Sequence, residues 1–484
     1  METLGHQRLF IDGKFVDSSD RYDTRYPYDE HVVGTVARAG ESELKAALVS
    51  SATAFAKTRK LSRAARANAL HYISRGIAQR RAEIERAIVL CTGKPIDYTR
   101  GEVSRALSVF ALAAEEIARF GATYEPLDFD PLCPNARGIV ERFPLGTIAA
   151  IGPFNFPLNL LAHKIAPAIA TGNSVIAKPP PQCPAPALIL AELARDAGLP
   201  DGTLNVISAD PPIAERLATD PRVAMVSFTG SAAVGWALKA RAVRQRVALE
   251  LGGNGALIID ENTDLEYAAN RAARGAFLHA GQVCISVQRI FVHRRAYDSF
   301  VKLFVAASEK VGVGDPMDEK TLVGPMINRA AADRVMEWIA QAKAAGAGIL
   351  CGNRREGNVL WPTAIELRNR EHRKLRVWCE EVFGPVATVE AVDSFADAVA
   401  AANDSPYGLQ AGVFTENLEH AFEAFRDIDA GGIIVGDTGV FRVDTYPFGG
   451  MKASGLGREG IRWAMEEMTN PKMLVLNIAP AKRQ

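Results

Sequence analysis

"GTIAAIGPFNFPLNLLAHKIAPAIATGNSVIAKP", residues 146–179, decides how the rest of the chain is read. "GTIAAIGPF" is a short apolar run with the length and composition of a buried strand. "LNLLAHKIAPAIATG" follows with helical periodicity and a closing Gly172, and "SVIAKP" is strand-like again. The pattern continues outward. "APALILAELARDAG" reads as a helix, "TLNVIS" and "VAMVSFTG" as strands, and a further helix starts at Ala232. Near-continuous apolar strands joined by helices predict a parallel sheet covered on both faces, with right-handed crossovers. A second alternating region runs from "GALIID" to about residue 440. Upstream, the first fifty residues read as short strands and turns, and 43–120 as helices broken at "CTGKPI". Residues 122–143 read as irregular, turning strand-like at "GIVERFP". "KMLVLNI" reads as a last strand with a charged end.

With 484 residues the chain is too long for one simple core, so two or three domains are expected. Lys+Arg and Asp+Glu balance at 56 each, which argues against nucleic acid or a membrane surface as partner. The basic clusters across 63–81 alternate with apolar residues and read as a solvated helix face. Cys91, Cys133, Cys183, Cys284, Cys351 and Cys379 form no C-x-x-C pair, and the eight histidines are scattered, so no metal site is expected. No run of about 18 apolar residues is present to span a bilayer. The N-terminal stretch has no signal-peptide pattern, so a cytoplasmic, thiol-reducing location is expected.

Parallel sheets bind ligands at the carboxyl ends of their strands. Three such ends stand out here: Asn155 in "GPFNFP", Lys178 before a proline run, and Thr229-Gly230-Ser231 opening a helix that carries Gly235. A glycine turn before a helix suits a pyrophosphate, yet neither G-x-G-x-x-G nor a P-loop is present. In "LELGGN", Glu250 stands beside a Gly-Gly pair, as a helix cap, an ion-pair partner or a base. In "LHAGQVCISVQRIFV", Cys284 follows a helix and a glycine. A lone cysteine is usually inert core, but this setting suits a nucleophile if the fold brings Glu250 to it.

These blocks, in order and with "EEVFGP" and "PFGGMKASGLGREG", resemble the aldehyde dehydrogenase superfamily over nearly the whole chain. The resemblance implies an α/β architecture of three parts. A Rossmann-like coenzyme-binding domain would take residues 1–121 and 141–252, an α/β catalytic domain 253–452, and a small β oligomerisation extension 122–140 and 453–484. It implies NAD(P)-dependent oxidation of a small aldehyde to its acid, with NAD or NADP as cofactor and a homodimer or homotetramer as assembly. Cys284 would be the nucleophile that passes through a thiohemiacetal to a thioester, and Asn155 the oxyanion donor. Glu250 would be the base for the deacylating water, with Lys164 and Glu459 in a proton relay. The coenzyme would meet Phe154, Lys178, Phe228, Thr229, Gly230, Ser231, Gly235, Leu251, Gly252, Glu381 and Phe383.

The chain departs from its family in places. NAD-preferring relatives usually carry Glu where Pro181 stands, which opens the way to NADP, whereas Asp210 replaces a common glycine and works against it. "REGN", "KPPPQ" and "RVDTYPFGG" resemble the branch that oxidises small, often anionic aldehydes, including non-phosphorylating glyceraldehyde-3-phosphate, lactaldehyde and phosphonoacetaldehyde dehydrogenases. Arg105 matches that branch's substrate-anion arginine and Arg442 lies near another, with a pairing of Arg105 to Glu102 or another helix acid as the bland alternative. Val283 stands where phosphate-binding members have arginine. The competing expectations are a CoA-acylating semialdehyde dehydrogenase, which would lack a Glu250 equivalent, and a catalytically silent structural relative.

Overall fold

The computed structural model describes residues 3–477. Its first sheet has eight strands, in the order Gly455–Leu456, Arg246–Glu250, Val223–Thr229, Thr147–Ile151, Ser174–Lys178, Leu204–Val206, Leu9–Ile11 and Lys14–Val16. The central strands from Arg246–Glu250 to Leu204–Val206 are all parallel. The chain starts at Thr147–Ile151, winds outward to Leu204–Val206, then crosses back to Val223–Thr229. A topological switch point therefore lies between Ile151 and Thr229, which is where such sheets take dinucleotides.

Alternation along Thr147–Ile151 decides what covers the sheet. Ile148 and Ala150 face a core shared with the helices Arg63–Gln79, Ile96–Arg119, Asn159–Thr171 and Ala185–Asp196. Ala149 and Ile151 face the opposite core, under Glu41–Thr58, Pro211–Thr219 and Ala232–Arg241. The all-apolar strand seen in the sequence is the mark of this two-sided burial.

A second sheet of seven strands, Gly348–Cys351, Thr363–Glu366, Val386–Val392, Val287–His293, Gly255–Ile259, Gln410–Phe414 and Gly432–Val435, has a core of its own. The third sheet is antiparallel: Thr469–Asn477, Ala136–Pro144 and Thr123–Pro126. Residues 122–143, read as irregular, thus hold the strand Thr123–Pro126. Every residue of it is exposed, so no apolar alternation announced it.

The expected β-extension divides differently from its sequence boundaries. Gly455–Leu456 adds to the first sheet, and the helix Ile461–Glu467 packs on Asn159–Thr171 because Ile461, Ala464 and Met465 bury into that core. Of 453–477, only Thr469–Asn477 belongs to the third sheet. The charged end of the chain lies outside the described residues. Among the described residues no helix is long and apolar enough to cross a membrane.

Candidate active site

A cleft of about 520 Å³ opens at the switch point, between the carboxyl ends of the first sheet and the loops entering the second. Cys284 stands at its inner end. The helix Leu265–Phe277 finishes just before it, and His279, Ala280 and Gly281 then take φ of 53°, 54° and 67°. Left-handed backbone costs roughly 1–2 kcal/mol for a residue with a Cβ, so the surroundings must hold this turn. Gln282 does so from a fully buried position. Its side chain donates to the carbonyls of His279 and Pro325, at 3.3 and 3.2 Å, and accepts from the Ile327 amide at 2.9 Å.

Three distant blocks meet here through the absence of side chains. A methyl on Gly253 would overlap the Cys284 carbonyl, and one on Gly281 would overlap the carbonyl of Gly384. Asn155 completes the junction by donating from Nδ2 to the Gln282 carbonyl at 2.9 Å. The structure thus brings Asn155, Cys284 and Gly253 together from opposite sides of the cleft.

Burial raises the Cys284 thiol to about 12, with Arg442 pulling the other way. The thiol is therefore neutral at pH 7 and needs a base. Glu250 ends the strand Arg246–Glu250, is 5% exposed, and has one carboxylate oxygen without a partner. Burial and then the charge of Glu459 hold its carboxyl well above the usual range. Glu459 itself titrates at about 2: burial acts upward, but Lys164, His163 and Arg442 outweigh it. Lys164 Nζ binds Glu459 at 2.7 Å and Arg442 Nη2 binds its other oxygen at 3.3 Å. The two carboxyl environments are pushed apart: burial favours the neutral form of Glu250, and the flanking cations favour the charged form of Glu459.

The remaining cleft residues fit a dinucleotide. Lys178 ends a strand on one wall, and Thr229, Gly230 and Ser231 lead into the helix Ala232–Arg241. The Thr229 hydroxyl is buried without a partner. Glu381, raised to about 7 by burial, accepts from the Gly253 amide at 3.0 Å. A methyl on Gly252 would strike that carboxylate, so glycine keeps the passage open. Phe154 and Phe383 meet edge to face at 5.8 Å, and Phe228 and Leu251 line the same wall. Gly235 lets its helix close onto Leu251. A cation, a carboxylate, a helix start and apolar rings are the donor set that ribose, pyrophosphate and a flat ring require.

Cys284 packs against an apolar cluster that includes Tyr98, Phe156, Val283, Tyr446 and Phe448. Arg105 is not the free cation expected of an anion anchor. It holds Asp444 from Nη2 and Nε, at 2.5 and 3.3 Å, because the loop before Phe448 brings that carboxylate to the helix Ile96–Arg119. The partner is thus neither Glu102 nor another acid of its helix. His163 binds the same Asp444 oxygen at 2.9 Å. Arg442 is almost buried, paired to Glu459, and lies 3.6 Å above the Phe448 ring.

Sequence reasoning missed Lys94 and named Glu102 only as an alternative partner of Arg105. They form a fully buried ion pair at 2.6 Å, with Lys94 also donating to the Asn155 carbonyl at 3.0 Å. The other Glu102 oxygen accepts from the Leu158 and Asn159 amides, at 2.9 and 3.0 Å, and so caps the helix Asn159–Thr171. The signal was a lysine in the "CTGKPI" break and an acid on an apolar helix face. Lys94→Met leaves Glu102 charged and uncompensated, so a loss of about 3–5 kcal/mol is expected. Urea unfolding measures it, and an unshifted midpoint would show that the pair is dispensable.

Among the described residues no group of His, Cys, Asp or Glu could hold a metal ion. A buried thiol and a nearby buried carboxyl, at the switch point of a sheet whose cleft fits a dinucleotide, are the groups an oxidoreductase of this architecture can use. Residues 15–474 match the family model described as "Aldehyde dehydrogenase family", and the chain belongs to that family. It is an NAD(P)-dependent aldehyde dehydrogenase that oxidises small aldehydes. It is 39% identical to a 3-sulfolactaldehyde dehydrogenase of Priestia aryabhattai over 471 residues, 97% of this chain and 98% of that one. Aldehyde dehydrogenase 21 of Physcomitrella patens, solved with the product succinate, has TM-score 0.95 and 36% identity, covering 99% of each chain. A glyceraldehyde-3-phosphate dehydrogenase of Methanocaldococcus jannaschii, solved with NADP, has TM-score 0.91 and 33% identity over 96% of this chain and 100% of its own.

Proposed function

We propose that the substrate is a short aldehyde with an anionic or hydroxylated tail, oxidised to the acid at Cys284. The observation that carries this is a pair of carboxylate-clamped guanidiniums, Arg105 on Asp444 and Arg442 on Glu459, with Arg442 also over Phe448 of the apolar cluster around Cys284. Arg442 is the strongest opposing charge on the Cys284 thiol, and both Arg105 and Arg442 act on Tyr446. A clamped guanidinium keeps donors free for a second anion, and Arg442 Nε is buried without a partner. A relative named for a sulfonated aldehyde and a neighbour solved with the product succinate agree with that chemistry. Val283 adds no further cation, so fully phosphorylated aldehydes should bind less well.

The proposed roles follow the geometry. Glu250 takes the Cys284 proton, and the sulfur bonds to the aldehyde carbon. The Asn155 amide and the Cys284 backbone N–H hold the developing oxyanion, each such donor being worth roughly 10²–10³ in rate. When bound, NAD or NADP supplies the acceptor for the hydride that the oxidation releases. Lys178 would hold the adenosine ribose, Ser231 the pyrophosphate, and Glu381 the nicotinamide ribose, with Phe383 against the ring. With that first proton passed on, Glu250 takes a proton from water as it attacks the thioester carbon, the C–S bond breaks, the proton returns to the departing thiolate, and the acid product leaves the free thiol. Lys164 and Glu459 would pass the proton outward. The third sheet, with Met473, Leu474, Val475 and Leu476 exposed, would serve homodimer or homotetramer assembly, and a reduced thiol suits the cytoplasm.

Arg105→Leu should raise KM at least tenfold for carboxylated and sulfonated aldehydes while propionaldehyde is barely affected. Initial rates over such a panel test this. Equal losses on charged and neutral aldehydes would make Arg105 a structural partner of Asp444 and leave the tail undefined.

A further inference from the structure

The sequence set Pro181 and Asp210 against each other over NADP, and the fold adds a third residue. Ala177 pairs with Val206 in adjacent parallel strands, so Lys178 and the segment 207–210 leave the sheet side by side at its carboxyl edge. The Ala39 amide donates to the Ser208 carbonyl at 2.7 Å, which lays Arg38 beside that segment. Arg38 Nη1 lies 3.1 Å from Asp210 and 3.6 Å from the more exposed Asp20. Its guanidinium lies 5.0 Å from the Tyr22 ring centroid, and the Tyr22 hydroxyl donates to the Pro181 carbonyl at 2.9 Å. Arg38 Nε is buried without a partner.

We propose that Arg38 is the residue through which this chain accepts the 2′-phosphate of NADP, with Asp210 as its tether. This rests on the coenzyme assignment of the cleft. Asp210 alone would repel a phosphate, but its charge is already engaged by Arg38. Pro181 contributes no carboxylate, and Lys178 adds a second cation at the cleft wall. A guanidinium carries five donors in a fork that matches phosphate oxygens, and Asp210 occupies only part of them. The Tyr22 ring packs against the guanidinium, and the Tyr22 hydroxyl ties that pair to Pro181, which lines the cleft.

Titration of the full chain with 2′,5′-ADP and with 5′-AMP, beside initial rates with NADP and NAD, tests the proposal. The wild-type chain should bind 2′,5′-ADP at least as tightly as 5′-AMP. Arg38→Leu should weaken 2′,5′-ADP relative to 5′-AMP at least tenfold and lower the NADP-to-NAD ratio of kcat/KM by a similar factor. Arg38→Lys should recover part of that loss, and Asp210→Asn should shift the ratio toward NADP. If Arg38→Leu moves both ligands alike, or neither, Arg38 only braces Tyr22 and the proposal is overturned. A wild-type chain that takes 5′-AMP but excludes 2′,5′-ADP a hundredfold would overturn it too, leaving Asp210 in control. If no adenosine ligand or dinucleotide binds at all, the coenzyme assignment itself falls, and this proposal with it.

Discussion

Cys284→Ala lowers steady-state oxidation of every aldehyde at least about 10³-fold, because no other side chain can form the covalent adduct. Folding and NAD(P) binding stay intact in this expectation. The thiol is neutral where it sits, so removing Sγ orphans no buried charge, and the left-handed turn before it is held by Gln282. NAD(P)H absorbance and coenzyme fluorescence measure the two properties separately. A variant that keeps more than a few per cent of the wild-type rate would remove Cys284 from its role.

Glu250→Gln separates the two halves of the reaction, slowing deacylation by about 10²-fold or more, since an amide accepts no proton from water. Rapid mixing should show a burst of NAD(P)H near one per site, then slow turnover. A lost burst with coenzyme still bound would mean that Glu250 acts chiefly on the thiol. In the wild type the burst should quicken as pH rises from about 6 to 9. Burial raises both Cys284 and Glu250, and each proton lost moves the pair toward its reactive form. A burst rate flat across that range would contradict the raised values.

What the sequence showed and hid follows from how each contact is made. The first sheet was legible because two-sided burial makes strands such as Thr147–Ile151 wholly apolar. Asn155, Glu250 and Cys284 each stood out locally, but only the family resemblance put them in one site; the meeting of Asn155, Gly253 and Cys284 depends on contacts between residues far apart in sequence. The pairing of Lys94 with Glu102 stayed hidden, since a buried ion pair joining a loop to a helix has no period. Arg105 was found but its partner was not. Asp444 is distant in sequence and nothing local ties it to that helix. The helix Ile461–Glu467, inside the span read as oligomerising or bridging, was not itself foreseen, because an apolar face does not say which core it enters.

The bond from Asn155 Nδ2 to the Gln282 carbonyl settles a question of handedness inside one side chain. A carboxamide has two ends of nearly equal shape, and rotating it by half a turn exchanges a donor for an acceptor. Facing a carbonyl, the oxygen end is repelled, so only one orientation survives. The second N–H of the same planar group then points in one direction and cannot wander. With Asn155 and Cys284 in their proposed roles, the resting enzyme thereby stores the aim of its oxyanion donor in a backbone atom of the loop that carries the sulfur. Donor and sulfur are registered to each other before any substrate arrives.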